Sequence, residues 1–279
     1  MNLPFQIDLE GKIAVVTGGS GVLGSVLSEA LAKCGAKVAI LARTQEKIDK
    51  VVERITSTGG ECRGYSVDVL DKEALMEVRE DIHEQWGTVD LLLNGAGGNH
   101  PKATTGQEYF SPDNEEQSFF DIDPHAVDEL FKLNFSGTLI PTQVFAEDMV
   151  DKHGASIINI SSMNALRPLT KIPAYSGAKA AVSNFTQWLS VYFSKVGIRV
   201  NAIAPGFFLT EQNRGLLLDQ EGEYKERANK IIGQTPMSRL GKAEELVGTL
   251  LWLADEKSSG FVNGILVPVD GGFSAYSGV

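Results

Sequence analysis

Apolar residues along this chain fall into two alternating rhythms. Short runs rich in aliphatic and β-branched side chains occur at Lys12–Thr17, Lys37–Ala42, Cys62–Val67 and Val89–Asn94. Between them lie longer stretches whose apolar positions keep helical spacing, at Val22–Cys34, Thr44–Thr58 and Asp71–Trp86. A strand followed by a helix-length crossover is what a parallel strand pair requires, so the alternation predicts βαβ units. The second half repeats it, with strands at Ala155–Ile160, Ile198–Ala204 and Ile265–Val269 and helices at about Pro124–Val150, Ala174–Lys195 and Ala243–Ala254. Strands that are apolar throughout need helices on both faces. The pattern therefore predicts an α/β fold, a doubly wound parallel sheet in three layers. No linker or low-complexity tract interrupts it, which predicts a single domain over residues 1–279.

Two segments break the rhythm. Asn99–Asp123 is long and polar, carries Pro101, Gly106 and Pro112, and follows the fourth strand. Phe207–Pro236 follows the sixth strand and has a charged, helix-like middle. Both leave the C-terminal ends of strands, where open α/β sheets bind ligands, so the first is expected to be a long binding loop and the second a substrate loop.

Composition narrows the function classes. A formal net charge of −11 argues against a nucleic-acid partner, whose phosphates call for a basic face. No run of eighteen apolar residues exists, so no membrane span is expected. The N-terminal stretch MNLPFQIDLEGK has neither a basic start nor a long apolar run, unlike a secretory signal. Two cysteines, Cys34 and Cys62, are expected as reduced thiols of a cytoplasmic protein. His83, His125 and His153 lack metal-ligand spacing, and no metal is assigned.

The chemistry gathers at a few places. Thr17-Gly18-Gly19-Ser20-Gly21-Val22-Leu23-Gly24 joins the first strand to the first helix. Glycines there allow a tight turn and close approach of a pyrophosphate, whose charge faces the helix N-terminus, as in a Rossmann-like fold. Tyr175 and Lys179 stand four residues apart in a predicted helix, on one face. A free phenol titrates near ~10, and a neighbouring ammonium would favour its phenolate. Ser161 and Ser162 follow the fifth predicted strand, where a hydroxyl can hydrogen-bond an oxygen that gains charge in a reaction.

Taken together, these residues resemble the classical short-chain dehydrogenase/reductase family over nearly the whole chain, roughly residues 9 to 273. The glycine turn is similar to that family's T-G-x-x-x-G-x-G, with Thr17, Gly18 and Gly24 kept but Val22 where the middle glycine stands. The resemblance implies an enzyme that moves a hydride between a nicotinamide and a carbonyl or secondary alcohol. It assigns Asn134, Ser162, Tyr175 and Lys179 as the catalytic set; the family's thirteen-residue spacing to the tyrosine selects Ser162 over Ser161. It assigns the dinucleotide to Gly18, Ser20, Gly21, Val22, Leu23 and Gly24, to Asp68 and Val69, to Asn94, Gly95, Ala96 and Gly97, and to Pro205, Gly206 and Thr210, with Tyr175 and Lys179 at the nicotinamide ribose. It also implies a homotetramer or homodimer.

The end of the second strand bears on the choice of cofactor. An acid there would bind ribose hydroxyls; Ala42 and Arg43 stand there instead. A guanidinium matches a 2′-phosphate, which favours NADP(H) while leaving NAD(H) possible, as Glu46 lies close by. The substrate must come from the variable segments. Gly97–Thr105 resembles the same segment of short-chain enzymes that interconvert D-fructuronate and D-mannonate. A sugar acid needs cationic and amide groups around it, and His100, Lys102, Asn164 and Arg167 are the candidates. Other expectations stay open: a different sugar or polyol, a 3-oxoacyl carrier-protein substrate, or a non-catalytic cofactor sensor, which would not need the serine, tyrosine and lysine together.

Overall fold

Alternate side chains of a strand leave the sheet on opposite faces, and in the first strand both sets are apolar. In the first strand, β1 (Ile13–Thr17), Ala14 and Val16 pack to one side while Ile13 and Val15 pack to the other. The structure is a computed structural model that describes residues 6–209, 214, 215 and 217–278. Six further strands follow, β2 (Lys37–Ala42), β3 (Cys62–Ser66), β4 (Leu91–Asn94), β5 (Ser156–Ile160), β6 (Arg199–Pro205) and β7 (Leu266–Val269). All pair in parallel in the order β3-β2-β1-β4-β5-β6-β7.

The helices sort by face. Helices α1 (Val22–Lys33) and α2 (Gln45–Ser57) bury Leu27, Leu31, Ile48 and Ile55 against Ala14 and Val16. The opposite layer holds α3 (Lys72–Gln85), α5 (Gly137–Phe145) and α6 (Pro173–Tyr192), which bury Leu75, Ile82, Phe145 and Leu189 against Ile13 and Val15. Between α3 and α5 lies α4 (Pro124–Phe131); later come α7 (Glu226–Gly233), α8 (Val247–Ala254), which completes the first layer through Leu250 and Leu253, and the short α9 (Glu256–Ser259). This is a doubly wound, Rossmann-like sheet in three layers. The strand order reverses between β1 and β4, which opens a crevice at their C-terminal ends.

One predicted element is broken. The apolar spacing predicts a single helix over Pro124–Val150, but the structure has α4, a π-helical turn at Lys132–Ser136, α5 and a 3-10 turn at Ala146–Met149. The Asn134 side chain donates to Leu130 O at 2.9 Å and so loads the carbonyl that a regular helix reserves for a backbone N–H. Pro141, inside α5, has no N–H to continue the ladder. A π turn widens the helix at the residue the site needs.

Both cysteines are free thiols, and burial pushes the Cys62 thiol up to about 12. Among the described residues no helix is long and apolar enough to cross a membrane.

At the end of the sheet away from the crevice, buried Asp90 accepts from Ile13 N at 2.9 Å and lies 3.3 and 3.2 Å from the ammonium groups of Lys12 and Lys152. It ties the entries of β1, β4 and β5 together. Asp90→Ala strands these donors and should cost about 1–3 kcal/mol. A lowered urea midpoint with unchanged turnover is the expected result, because the crevice lies at the other end of the strands.

Candidate active site

The glycine turn is shaped by contact. Gly18 has φ of +66°, and a Cβ on it would lie 2.8 Å from Gly95 O, so the β1 turn sits directly against the end of β4. A Cβ on Gly24 would meet Gly18 O at 2.2 Å, which lets the first turn of α1 close over the loop. Gly21 N donates to Gly18 O at 2.9 Å, and no side chain caps α1, so its N-terminal amides remain available to an anion. Thr17 Oγ1 accepts from Gly95 N and Ala96 N at 3.1 and 3.3 Å and locks the two turns together.

These turns form the floor of a cleft of about 230 Å³, lined by Gly18, Ser20, Gly21, Arg43, Asp68, Val69 and Gly95 to Gly97, with Lys47 beside Arg43. A glycine floor without side chains, a bare helix N-terminus and two cations at the far end fit a dinucleotide. Val22, Leu23 and Gly24 stand behind the floor, in the first turn of α1. Asn94 lies deeper, donating to Thr142 Oγ1 and Asn159 Oδ1 at 3.0 and 2.9 Å, and so steadies β4 against β5.

The four residues expected as the catalytic set come from three places: the turn after β5, the π turn and α6. Ser162 follows β5 and caps a short 3-10 turn, its Oγ accepting from Asn164 N at 3.3 Å. Ser161 points the other way, bonded to Lys179 O at 3.2 Å and Ser183 Oγ at 2.7 Å, which leaves Ser162 to the crevice. Tyr175 and Lys179 share a face of α6, with the ammonium 5.8 Å from the phenol ring centre. Lys179 is buried and donates to Ile160 O at 2.8 Å. Asn134 brackets Gly98, donating to its carbonyl at 2.8 Å and accepting from its N–H at 3.2 Å. A Cβ on Gly97 would lie 2.7 Å from Asn134 Oδ1 and 3.1 Å from Lys179 Nζ, so only glycine lets these groups meet.

Electrostatics corrects one expectation. The phenol of Tyr175 is held above its ordinary value because burial, the larger effect, outweighs the hydrogen bond from Ser162 that lowers it. The neighbouring ammonium does not reverse this. Burial lowers Lys179 itself to about 8. At neutral pH the site therefore holds a protonated phenol and a charged lysine, ready to give a proton rather than take one.

A second cleft, of about 450 Å³, opens over Ser162 and Tyr175 and is lined also by Asn99, Asn164, Ile172, Gly206, Phe207 and Arg227. Gly206 is required there, since a Cβ would meet Asp270 Cα at 2.6 Å. Pro205 ends β6 just before it. Of the four residues expected around the substrate, Asn164 lines this cleft. His100 accepts from Lys102 N at 3.2 Å and lies 3.6 Å from Glu129, Lys102 is exposed in a 3-10 turn, and the Arg167 guanidinium bonds Tyr276 O, all outside the lining.

The chain matches the family model for short chain dehydrogenase over residues 12–221. It belongs to the short-chain dehydrogenase family. Accordingly it is an oxidoreductase acting on alcohol and carbonyl groups with a nicotinamide dinucleotide. A Haemophilus influenzae relative named as an uncharacterized oxidoreductase is 57% identical, covering 100% of this chain and 99% of its own. The Bacillus subtilis oxidoreductase UxuB, also named as uncharacterized, is 55% identical over 99% of this chain and 100% of its own. A Haemophilus crystal structure, provisionally named a D-mannonate oxidoreductase and holding NAD, is 58% identical, with a TM-score of 0.94 and 98% of each chain covered. A Burkholderia cenocepacia gluconate 5-dehydrogenase with NADP and tartrate is 28% identical, with a TM-score of 0.81 over 97% of this chain and 98% of that one. The NAD in the 58% identical structure weighs against the preference for NADP(H) that Arg43 suggests.

In this short-chain dehydrogenase, Thr210 lies outside the described residues. Lys47, Asn99, Ile172, Phe207 and Arg227 line the clefts without having been assigned to the site from the sequence, where Thr17 stands only as part of the glycine motif. Thr17 has a signal, a hydroxyl ending a strand before a glycine turn; Arg227 has none, being one of several charges in its segment.

The state of Lys179 makes a prediction. Its ammonium, lowered by burial to about 8, is present below that value and lost above it. Thus kcat/KM for the dinucleotide, which reports the free enzyme, should be level near neutrality and fall on the alkaline side with an apparent pKa near 8. A profile still level well past that point would contradict the assignment.

Proposed function

We propose that this dehydrogenase interconverts D-fructuronate and D-mannonate with NAD(H), through Tyr175, Ser162, Lys179 and Asn134. The observation that carries the reading is the cleft over Tyr175, where buried Asn164 keeps an unpaired Oδ1 and Arg227 supplies a cation. A polyhydroxy acid offers a hydroxyl to the first and a carboxylate to the second. Two comparisons support the substrate class: the provisional D-mannonate oxidoreductase at 58% identity, and gluconate 5-dehydrogenase relatives, of which one from Gluconobacter oxydans is 30% identical. The NAD in the first of these supports NAD(H). Arg43, exposed at the end of β2 and without an ion-pair partner among the described residues, would then lie along the adenosine rather than bind a phosphate.

A nicotinamide dinucleotide, when bound, supplies the hydride for reduction and accepts it for oxidation. The chain's own residues handle the proton and the geometry. Ser162 hydrogen-bonds the substrate oxygen and holds it beside the phenol. Tyr175, kept protonated by burial, donates to that oxygen as charge develops on it. Lys179 stabilises the phenolate left behind, and its bond to Ile160 O keeps the ammonium aimed at the crevice. Asn134 keeps Gly98, and with it the floor beneath the lysine, in place. Exposed Trp188, Val191 and Tyr192 on α6 would be covered in the oligomer that the family suggests.

Tyr175→Phe keeps the ring and removes the proton. It should lower turnover by roughly 10²–10⁴ while dinucleotide binding, followed by nucleotide fluorescence, stays near the wild type. Retained turnover would remove Tyr175 from its role. Assays of D-fructuronate with NADH and NADPH separately test the rest: turnover favouring NADH is expected, and turnover confined to NADPH would return Arg43 to phosphate binding.

A further inference from the structure

The substrate cleft has an uneven chemistry. Among the described residues that line it, Arg227 is the one Lys, Arg, Asp or Glu side chain, in a molecule whose net charge is −11. Its guanidinium has no hydrogen-bond or ion-pair partner among the described residues. Its neighbour Glu226 is engaged elsewhere, 3.5 Å from Lys230. Arg227 also lines the adjoining cleft of about 520 Å³, so it stands where the two spaces meet.

The arginine stands on a held platform. Ala228 and Ile231 of α7 are buried with Leu217 and Leu240. Ile231, four residues after Arg227, lines the same two clefts, so this face of α7 is turned to the site. From the 3-10 turn after β5, Asn164 lines the same cleft, buried, with an Oδ1 that has no partner. The cleft thus has a proton donor in Tyr175, an unpaired acceptor in Asn164 and an unpaired guanidinium in Arg227. A forked guanidinium matches a carboxylate with paired hydrogen bonds.

We propose that Arg227 is the specificity residue of this enzyme, holding the carboxylate of an acidic sugar while Asn164 accepts from one of its hydroxyls. The proposal deepens the sugar-acid reading above and rests on it. It moves the carboxylate anchor away from Arg167, which the Tyr276 carbonyl occupies.

The test uses the full-length enzyme, Arg227→Gln and Arg227→Lys. D-fructuronate, other sugar acids and D-fructose, which has a hydroxymethyl group in place of the carboxylate, are compared for turnover and for binding by calorimetry. Arg227→Gln should raise KM for the acid by roughly 10- to 100-fold. Its kcat, its affinity for the dinucleotide and whatever turnover the wild type shows on D-fructose should change little, and Arg227→Lys should fall between. An unchanged KM for the acid, or an equal loss on acid and neutral sugar, overturns the proposal while leaving the substrate reading intact. Wild-type enzyme inactive on D-fructuronate but active on another sugar acid, with the same Arg227 dependence, overturns that substrate and upholds Arg227. Wild-type enzyme that neither binds nor turns over any sugar acid overturns both.

Discussion

Lys179 places an ammonium where water is nearly excluded, with Ile160 O as its one hydrogen-bond acceptor among the described residues. Burying such a charge is costly unless the surrounding groups are fixed to receive it. Much of the site follows from that requirement. Ile160 is the last residue of β5, a central strand, so the acceptor is as rigid as the sheet itself. Gly97 must lack a side chain because lysine and asparagine both close on it. Asn134 must leave regular helical geometry to reach Gly98, and the π turn is how the chain accommodates it. The lowered lysine pKa and the raised tyrosine pKa share one cause, exclusion of solvent. Together they leave a proton on the phenol at neutral pH, which suits carbonyl reduction.

The sheet delivers these groups to one place through its topology. Because β1 and β4 are neighbours although far apart in sequence, the glycine turn and the Asn94–Gly97 segment meet edge to edge, joined by Thr17. Because β5 lies beside β4 and β6 beside β5, all parallel, Ser162 and Gly206 arrive at the same end. Asp90 tightens the opposite end, where no chemistry occurs. Stability and function are thus separated along the strand axis, and the loops above the crevice can vary without disturbing the core.

The strands and most helices were legible because their signals are local. Apolar alternation, a glycine turn and helix-length crossovers are read within a window of residues, and most boundaries moved by only a residue or two; α6 stops at Tyr192, short of Lys195, and the start of the helix expected at Ala243–Ala254 is a 3-10 turn as far as Leu246. The helix over Pro124–Val150 misled because its apolar spacing is helical throughout. What breaks it is a side-chain bond from Asn134 to a carbonyl, which periodicity does not record. That Ser162, Tyr175 and Lys179 would meet was legible through their spacing. The state of Tyr175 was not, because depth of burial belongs to the folded molecule and here exceeds the effect of a neighbouring charge. The lining of the cleft over Tyr175 was the hardest part to read from the sequence. Arg167 and Arg227 look alike in sequence, yet one is tied to the Tyr276 carbonyl and the other lines the cleft.

That contrast bears on how an enzyme of the proposed specificity would recognise an anion while itself strongly anionic. Long-range potential from a net charge of −11 repels an acidic substrate, but screening confines that repulsion to about 10 Å at moderate salt. Recognition is then decided within the cleft, where a guanidinium unpaired with protein carboxylates has its full hydrogen-bonding capacity to offer. Glu226 and Glu108 could have neutralised it; instead they lie at 3.5 and 3.9 Å from Lys230. The lysine absorbs the nearby negative charge and leaves the arginine, one turn earlier on α7, to the ligand. Specificity for an acid is in this way compatible with an acidic surface, provided the local pairing of charges keeps one cation free.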